Sequence, residues 1–196
     1  MAGFTSINVP LAGHTDNSLR NLINLVYSRA GLISRATGGS FEIDKELLDF
    51  LDTSGMPGAA EELKTLVNEY NAKVGGIRGI LFFEDCVLFT GFNDIQDEAH
   101  FAAFFELVSR MNRMALTQKR ILAKPTNLEN EKYAMHEFLI QLGMNGADFK
   151  QFRKILMERL SGSQSFRTPE QAEQAKAQNA IRYRERKAAT ANLPEK

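Results

Sequence analysis

Residues 117–167, TQKRILAKPTNLENEKYAMHEFLIQLGMNGADFKQFRKILMERLSGSQSFR, limit the possible folds more than any other stretch, because a very short turn joins two helical patterns. Ala134, Met135, Phe138, Leu139 and Leu142 recur at helical spacing and predict a helix over residues 128–142. Asn127 is the expected N-cap, Glu129 and Glu131 suit the positive end of the helix dipole, and Gly143 stands where a left-handed residue ends a helix. After Gly143-Met144-Asn145-Gly146 a second helix is predicted over residues 147–160, with Phe149, Phe152, Ile155, Leu156 and Leu160 inward and Ser161-Gly162 closing it. So short a link makes the pair a helical hairpin.

The outer face of the second helix carries Lys150, Gln151, Arg153, Lys154 and Arg159. Two helices with a Gly-containing turn match the outline of a helix-turn-helix, whose second helix enters a DNA groove. A hairpin with a merely solvated outer face has the same outline. Charge distribution sharpens the question. The 24 basic and 24 acidic side chains cancel overall, but residues 1–115 carry 9 Lys+Arg against 15 Asp+Glu, and residues 116–196 carry 15 against 9. An acidic half of −6 and a basic half of +6 imply either a basic binding end, sensitive to salt, or two halves that dock on each other.

Ahead of the hairpin the pattern is mixed α and β. Residues 4–11 alternate through Phe4, Ile7, Val9 and Leu11, a strand closed by Pro10 and Gly13. Thr15 or Asp16 caps a helix over residues 17–36 whose apolar face runs from Leu19 to Ile33, with Gly38-Gly39 after it. A short strand is expected at 40–43, then a helix capped by Asp44 carrying Leu47, Leu48, Phe50 and Leu51. A further helix is expected over residues 59–73 with Leu63, Leu66, Val67 and Tyr70 inward. Residues 77–92 hold two apolar runs flanking Glu84-Asp85, a β-hairpin with an acidic turn. Residues 94–118 predict a long helix with Phe101, Phe104, Phe105, Val108, Met111 and Ala115 as its core stripe, and Asp94 or Asp97 at its start. Lys119, Arg120 and Lys124 lead to Pro125, which stops helix.

After Arg167 the composition turns polar. Thr168-Pro169-Glu170-Gln171 is a helix start, and an exposed helix to about residue 189 follows, with Ile181 and Tyr183 as its anchors. Residues 181–187 hold the densest positive run: Arg182, Arg184, Arg186 and Lys187.

Catalytic and metal chemistry is harder to find. His14, His100 and His136 fall in separate elements, none with a ligand partner at metal spacing. Glu84-Asp85 and Asp94 with Asp97 have plain roles as turn and cap. Cys86, the single cysteine, leaves no intrachain disulfide and reads as an inert core thiol. The three serines of residues 161–165 sit at a helix C-terminus, the wrong dipole end for a phosphate. No cofactor is implied. No apolar run approaches the roughly 20 residues of a membrane helix, and the N-terminus lacks the pattern of a secretory signal, so no membrane association and a cytoplasmic setting are expected.

Lys119-Arg120, Ala123-Lys124, Asn130-Glu131-Lys132-Tyr133-Ala134, Phe138-Leu139, Leu142-Gly143, Arg153-Lys154-Ile155-Leu156, Leu160-Ser161-Gly162 and Phe166-Arg167 resemble the C-terminal region of proteins called virulence-related or virulence-associated, carried on conjugative transposons of gut anaerobes. INVPLAGHTDNSLRNLINLV is similar to the strand-to-helix start of that family's main domain. The resemblance spans residues 4–167; the helix over 59–73 reads as an insertion and the tail lies outside it. It implies mobile-element cargo and a cytoplasmic setting, and it brings no catalytic residues.

The expected organisation is an α+β domain over residues 1–125, a helical hairpin over 126–167 packed on it, and a polar, partly disordered helical tail over 168–196. The expected function is that of a non-enzymatic accessory protein of a mobile element. It would contact DNA or RNA through Lys119, Arg120, Lys124, Lys150, Arg153, Lys154, Arg159 and Arg167, with the tail arginines adding nonspecific affinity. The alternative is a protein-interaction module, acting as inhibitor or adaptor, with the tail as a docking segment or a means of pairing two copies.

Overall fold

The computed structural model describes residues 6–53, 58–93, 95 and 97–191. The fold is α+β, a small antiparallel sheet with helices packed on one face. Strand β1 (Ile7–Pro10) pairs with β5 (Cys86–Phe89), which also pairs with β4 (Ile80–Phe82), all antiparallel, in the order β1-β5-β4. The predicted hairpin is therefore β4-β5, turning at Glu84-Asp85 and joined by the first strand. Its register puts Ile7, Phe89 and Ile80 in one row and Val9, Val87 and Phe82 in the next, all buried. Alternate residues face outward: Asn8 and Pro10, the half-exposed Leu88 and Cys86, and Leu81, which is 43% exposed. Cys86 thus lies on the open face and not in the core. Partial burial and the neighbouring Asp85 raise its thiol pKa, which disfavours the reactive thiolate. Asn112 donates to Pro10 O on one outer strand and Asn68 to Phe82 O on the other, so side chains occupy carbonyls that another strand would need.

A second, two-stranded sheet pairs β2 (Glu42–Ile43) with β3 (Ile77–Arg78), which Gly79 separates from β4. Gly79 has φ +89 and accepts from the amides of Thr90 and Gly91, while Ser40 donates to Gly91 O. The three strands cross here at backbone contact. A Cβ on Gly39 would lie 1.9 Å from Gly91 O, and one on Gly91 would lie 2.6 Å from Ser40 O. Phe41 meets Phe92 edge-on at 5.1 Å, and Phe92 stacks on Phe104 at 5.3 Å, carrying the core from this crossing into the helices.

Helix α1 (Asp16–Thr37) is the centre of the molecule. Thr15 caps it through a capping box with Ser18, and left-handed Gly38 ends it. Its apolar face, including Leu22, Ile23, Val26, Leu32 and Ile33, is buried against α4 (Glu98–Thr117), α3 (Ala60–Val74) and the hairpin helices. Arg20 ties α1 to α2 (Lys45–Thr53) through Leu48 O and Asp52. Asp97 caps α4; Asp94 lies outside the described residues. Within α4, Phe104, Val108, Met111 and Ala115 are buried as expected and Leu107 joins them. Phe101 and Phe105 are instead 39% and 44% exposed and stack on each other, because the burying surface covers only one side of the helix.

A polar stripe on α1 holds the irregular connector 118–127. Asn17 donates to Lys119 O, Asn21 donates to Gln118 O and accepts from Ile121 N, Asn24 donates to Ile121 O, and Ser28 O accepts from Thr126 N. These residues recur every three or four positions, so one helix face satisfies the backbone of a segment that has no secondary structure of its own.

The hairpin consists of α5 (Glu131–Gln141), a 3-10 turn (Ala147–Phe149) and α6 (Lys150–Met157). Asn130, not Asn127, caps α5, accepting from Tyr133 N; Asn127 accepts from Glu129 N within its own loop. Asn130 is favoured because it also accepts from Ser163 N and donates to Phe166 O, binding the loop 161–166. Glu131 completes that loop contact, accepting from the amide and hydroxyl of Ser161 at 2.8 and 3.0 Å and from Arg35 of α1. Helix α7 (Pro169–Ala191) begins at the expected start, Gln171 N donating to Thr168 Oγ1 and Arg167 N donating to Gln171 Oε1, and none of its described side chains is buried.

Candidate functional site

Two arginines fix the turn that aims α6. Gly143 adopts φ +75, and its amide and that of Met144 close α5 onto Ile140 O and Leu139 O. Arg110 of α4 donates to Leu142 O while lying 4.3 Å over the Phe149 ring, and Arg153 of α6 donates to Met144 O and Gly146 O at 2.6 and 2.8 Å. Arg153, expected as an outward contact, is therefore half-buried and serves as a brace for the turn.

Ile155, Leu156 and Met157 bury one side of α6, which leaves Lys150, Gln151 and Lys154 exposed on the other. An open groove of about 870 Å³ runs beside them. Its basic residues are Lys150, Arg153, Lys154 and Lys132, the last from the first turn of α5. No carboxylate lies in ion-pair contact with any of the four among the described residues. Asp148 and Glu158 also line the groove, but Glu158 accepts from His100 Nε2 at 2.9 Å, which draws its charge toward α4. Asp97 holds the other nitrogen of His100 at 2.9 Å, and these two carboxylates raise the imidazole pKa. The groove is thus net positive and accessible, suited to a polyanion held at several points.

The other expected contacts fall elsewhere. Lys119 and Arg120 line a separate hollow with Asn17, Arg20 and Asp52, and Lys124 is exposed on the connector. Arg159 is not on the outer face of the second helix, which ends at Met157. Its guanidinium covers Gly38 at the C-terminus of α1, where a cation meets the negative end of the helix dipole. Arg167 faces a third hollow beside Arg29. Arg182, Arg184, Arg186 and Lys187 all fall on α7.

Lys132 was missed by sequence reasoning that followed only the second helix. An antiparallel hairpin sets residues equally far from its turn opposite each other. Counting back from Met144-Asn145 places Lys132 across from Met157, which lines the same groove. Among the described residues no group of three His, Cys, Asp or Glu side chains is arranged to hold a metal ion, and no helix is long and apolar enough to cross a membrane. No protein-family model, no curated protein and no solved structure matches this chain.

Proposed function

We propose that this protein is a non-enzymatic accessory protein that contacts nucleic acid through the exposed side of α6, in the mobile-element and cytoplasmic setting that the family resemblance implies. The observation that carries the reading is the meeting of Lys132, Lys150, Arg153 and Lys154 in one open groove, free of ion-pair partners among the described residues. Lys150, Gln151 and Lys154 project from the N-terminal part of a helix that follows a tight turn, the position from which a recognition helix meets a groove. The basic run of α7 adds sequence-independent affinity for phosphates.

Binding of the full chain to labelled duplex and single-stranded oligonucleotides over a salt series tests this. Lys150→Glu with Lys154→Glu should weaken binding by about tenfold or more and flatten the salt dependence, by about 0.9 in log–log slope on duplex for each phosphate that is no longer neutralised. Arg153 is left intact because its loss would unfasten the turn. Equal binding by the wild type and this double variant, or no binding by the wild type at low salt, discards the reading.

A protein-binding role is the second reading. It is favoured by the open face of the sheet, where Leu81 and Phe83 are 43% and 50% exposed next to Glu84-Asp85. Leu81→Ser with Phe83→Ser should abolish capture of such a partner and leave nucleic-acid binding unchanged.

A further inference from the structure

We propose that the hollow of about 650 Å³ between α1, the connector, α5 and the start of α7 is a binding site for a small molecule with an oxyanion head, a phosphate or a carboxylate. This goes beyond the α6 groove and shares no residue with it. Arg29 carries the inference. It is half-buried in the middle of α1, its guanidinium lies 5.0 Å over the Phe138 ring, and no carboxylate is in ion-pair contact with it among the described residues. Burial lowers its pKa from the usual arginine value, as expected for a cation taken from water without a counter-charge. Its hydrogen bonds within the protein are few: Nη1 donates to Thr126 Oγ1, Nη2 reaches Gln141 Oε1 only at 3.5 Å, and Nε is buried without a partner. A half-buried guanidinium normally meets a carboxylate or a phosphate through its planar fork, and this one leaves Nη2 available to the hollow.

The surroundings fit that use. The partly buried part of the lining adds the hydroxyls of Tyr133 and Thr168, which can donate to an oxyanion, while the Thr126 hydroxyl donates to Ser28 O and holds Arg29 in place. A second guanidinium, Arg167, stands exposed in the lining, also without an ion-pair partner among the described residues. Glu129 and Glu137 line the hollow too, but both are exposed, so solvent screens them more than it screens Arg29. This arrangement favours a head group that binds deep, at Arg29, and a body carrying a donor or a cation toward the two carboxylates. O-Phosphoethanolamine has both features; inorganic phosphate and acetate have only the head.

Thermal stability of the full chain, titrated with inorganic phosphate, acetate or O-phosphoethanolamine at constant ionic strength against chloride, reads this directly. The expected result is a saturable rise in Tm with at least one oxyanion, reaching half its maximum at or below about 20 mM. Comparison of phosphate with acetate identifies the head group. O-Phosphoethanolamine should bind several-fold more tightly than phosphate, and Glu137→Gln should remove that advantage. Arg29→Gln should abolish the rise, and Arg167→Gln should weaken it several-fold. If Arg29→Gln does not fold, Arg29→Lys keeps the charge, removes the fork and should weaken binding at least tenfold. A Tm that follows chloride as closely as the oxyanions overturns the proposal, as does a saturable rise that persists in Arg29→Gln or one whose midpoint is unchanged in Arg29→Lys. The oligonucleotide experiment with Lys150 and Lys154 is read separately, so either idea can fail alone.

Discussion

Replacing Glu131 by Gln keeps the shape of the side chain and removes a single charge from the junction of α5, α1 and the loop 161–166. The carboxylate is 8% exposed and accepts from Ser161 N, Ser161 Oγ and Arg35. A hydrogen bond to a charged group contributes roughly 1 kcal/mol more than a neutral one, so the two bonds from Ser161 are weakened by about 2 kcal/mol together. Arg35 is 54% exposed and regains water, so its share is smaller, a few tenths of a kcal/mol. The amide NH₂ of Gln must also face a donor on one side, and the total reaches about 2–3 kcal/mol. For a chain of this length that is a fall in Tm of about 5–10 °C. The same contacts make the effect depend on pH. The amide of Ser161 first, then Arg35 and the Ser161 hydroxyl, hold the Glu131 pKa below the ordinary 4.5. A lowered pKa contributes stability that is complete above the unfolded value and disappears as pH falls through the folded one. Urea unfolding followed by circular dichroism should therefore show the deficit at neutral pH and near-equality of wild type and variant in acid below the folded pKa. Equal stability at pH 7, or a deficit that persists undiminished in that acid range, would refute the assignment of the carboxylate as the fastening group.

Three other outcomes follow from named contacts. Gly39→Ala places a methyl group 1.9 Å from Gly91 O, so the strand crossing must open, at a cost of about 3 kcal/mol or more, read as a drop in soluble yield or a collapsed Tm. Asn21→Ala orphans Ile121 N and Gln118 O together, and should lower unfolding free energy by about 2–3 kcal/mol in denaturant titration. Asp97 and Glu158 raise the pKa of His100, with Arg159 4.0 Å from Glu158, and a raised pKa contributes stability that is complete below the unfolded value of 6.5 and declines as pH rises through the folded one. Tm of the wild type should accordingly fall more steeply above pH 6.5 than that of His100→Gln, and parallel curves would contradict this.

Most of the fold was legible because its signals are local. Apolar spacing marked the helices, Gly38 and Gly143 marked two ends, and two apolar runs around Glu84-Asp85 marked the hairpin. Failures came where tertiary contacts decide. Asn127 and Asn130 are equally good caps in sequence, and only the returning loop through Ser163 and Phe166 selects the second. Phe101 and Phe105 continue an apolar stripe that outruns the surface available to cover it. Cys86 follows the alternation of its strand outward, which a short apolar run conceals. For the site, spacing identified Lys150 and Lys154. It could not separate them from Arg153, which reaches back to turn carbonyls, or from Arg159, which lies past the end of α6. The asparagines of α1 were visible at helical spacing, but their use was not, since the segment they hold lies about a hundred residues further along the chain.

That grip on the connector makes the protein divisible. Its tip, Leu122 to Pro125, is exposed, while Gln118 to Ile121 before it and Thr126 after it are each fastened to α1 independently. One cut of the backbone between Ala123 and Lys124 therefore leaves every fastening side chain in place. Residues 1–123 retain the sheet, α1 and α4; residues 124–196 retain the helical hairpin, with Thr126 to meet Ser28 and Glu131 to meet Arg35. The two pieces, produced together in one cell, should copurify as a complementing pair, and reporter halves fused at the new ends should then meet on the surface beside α1.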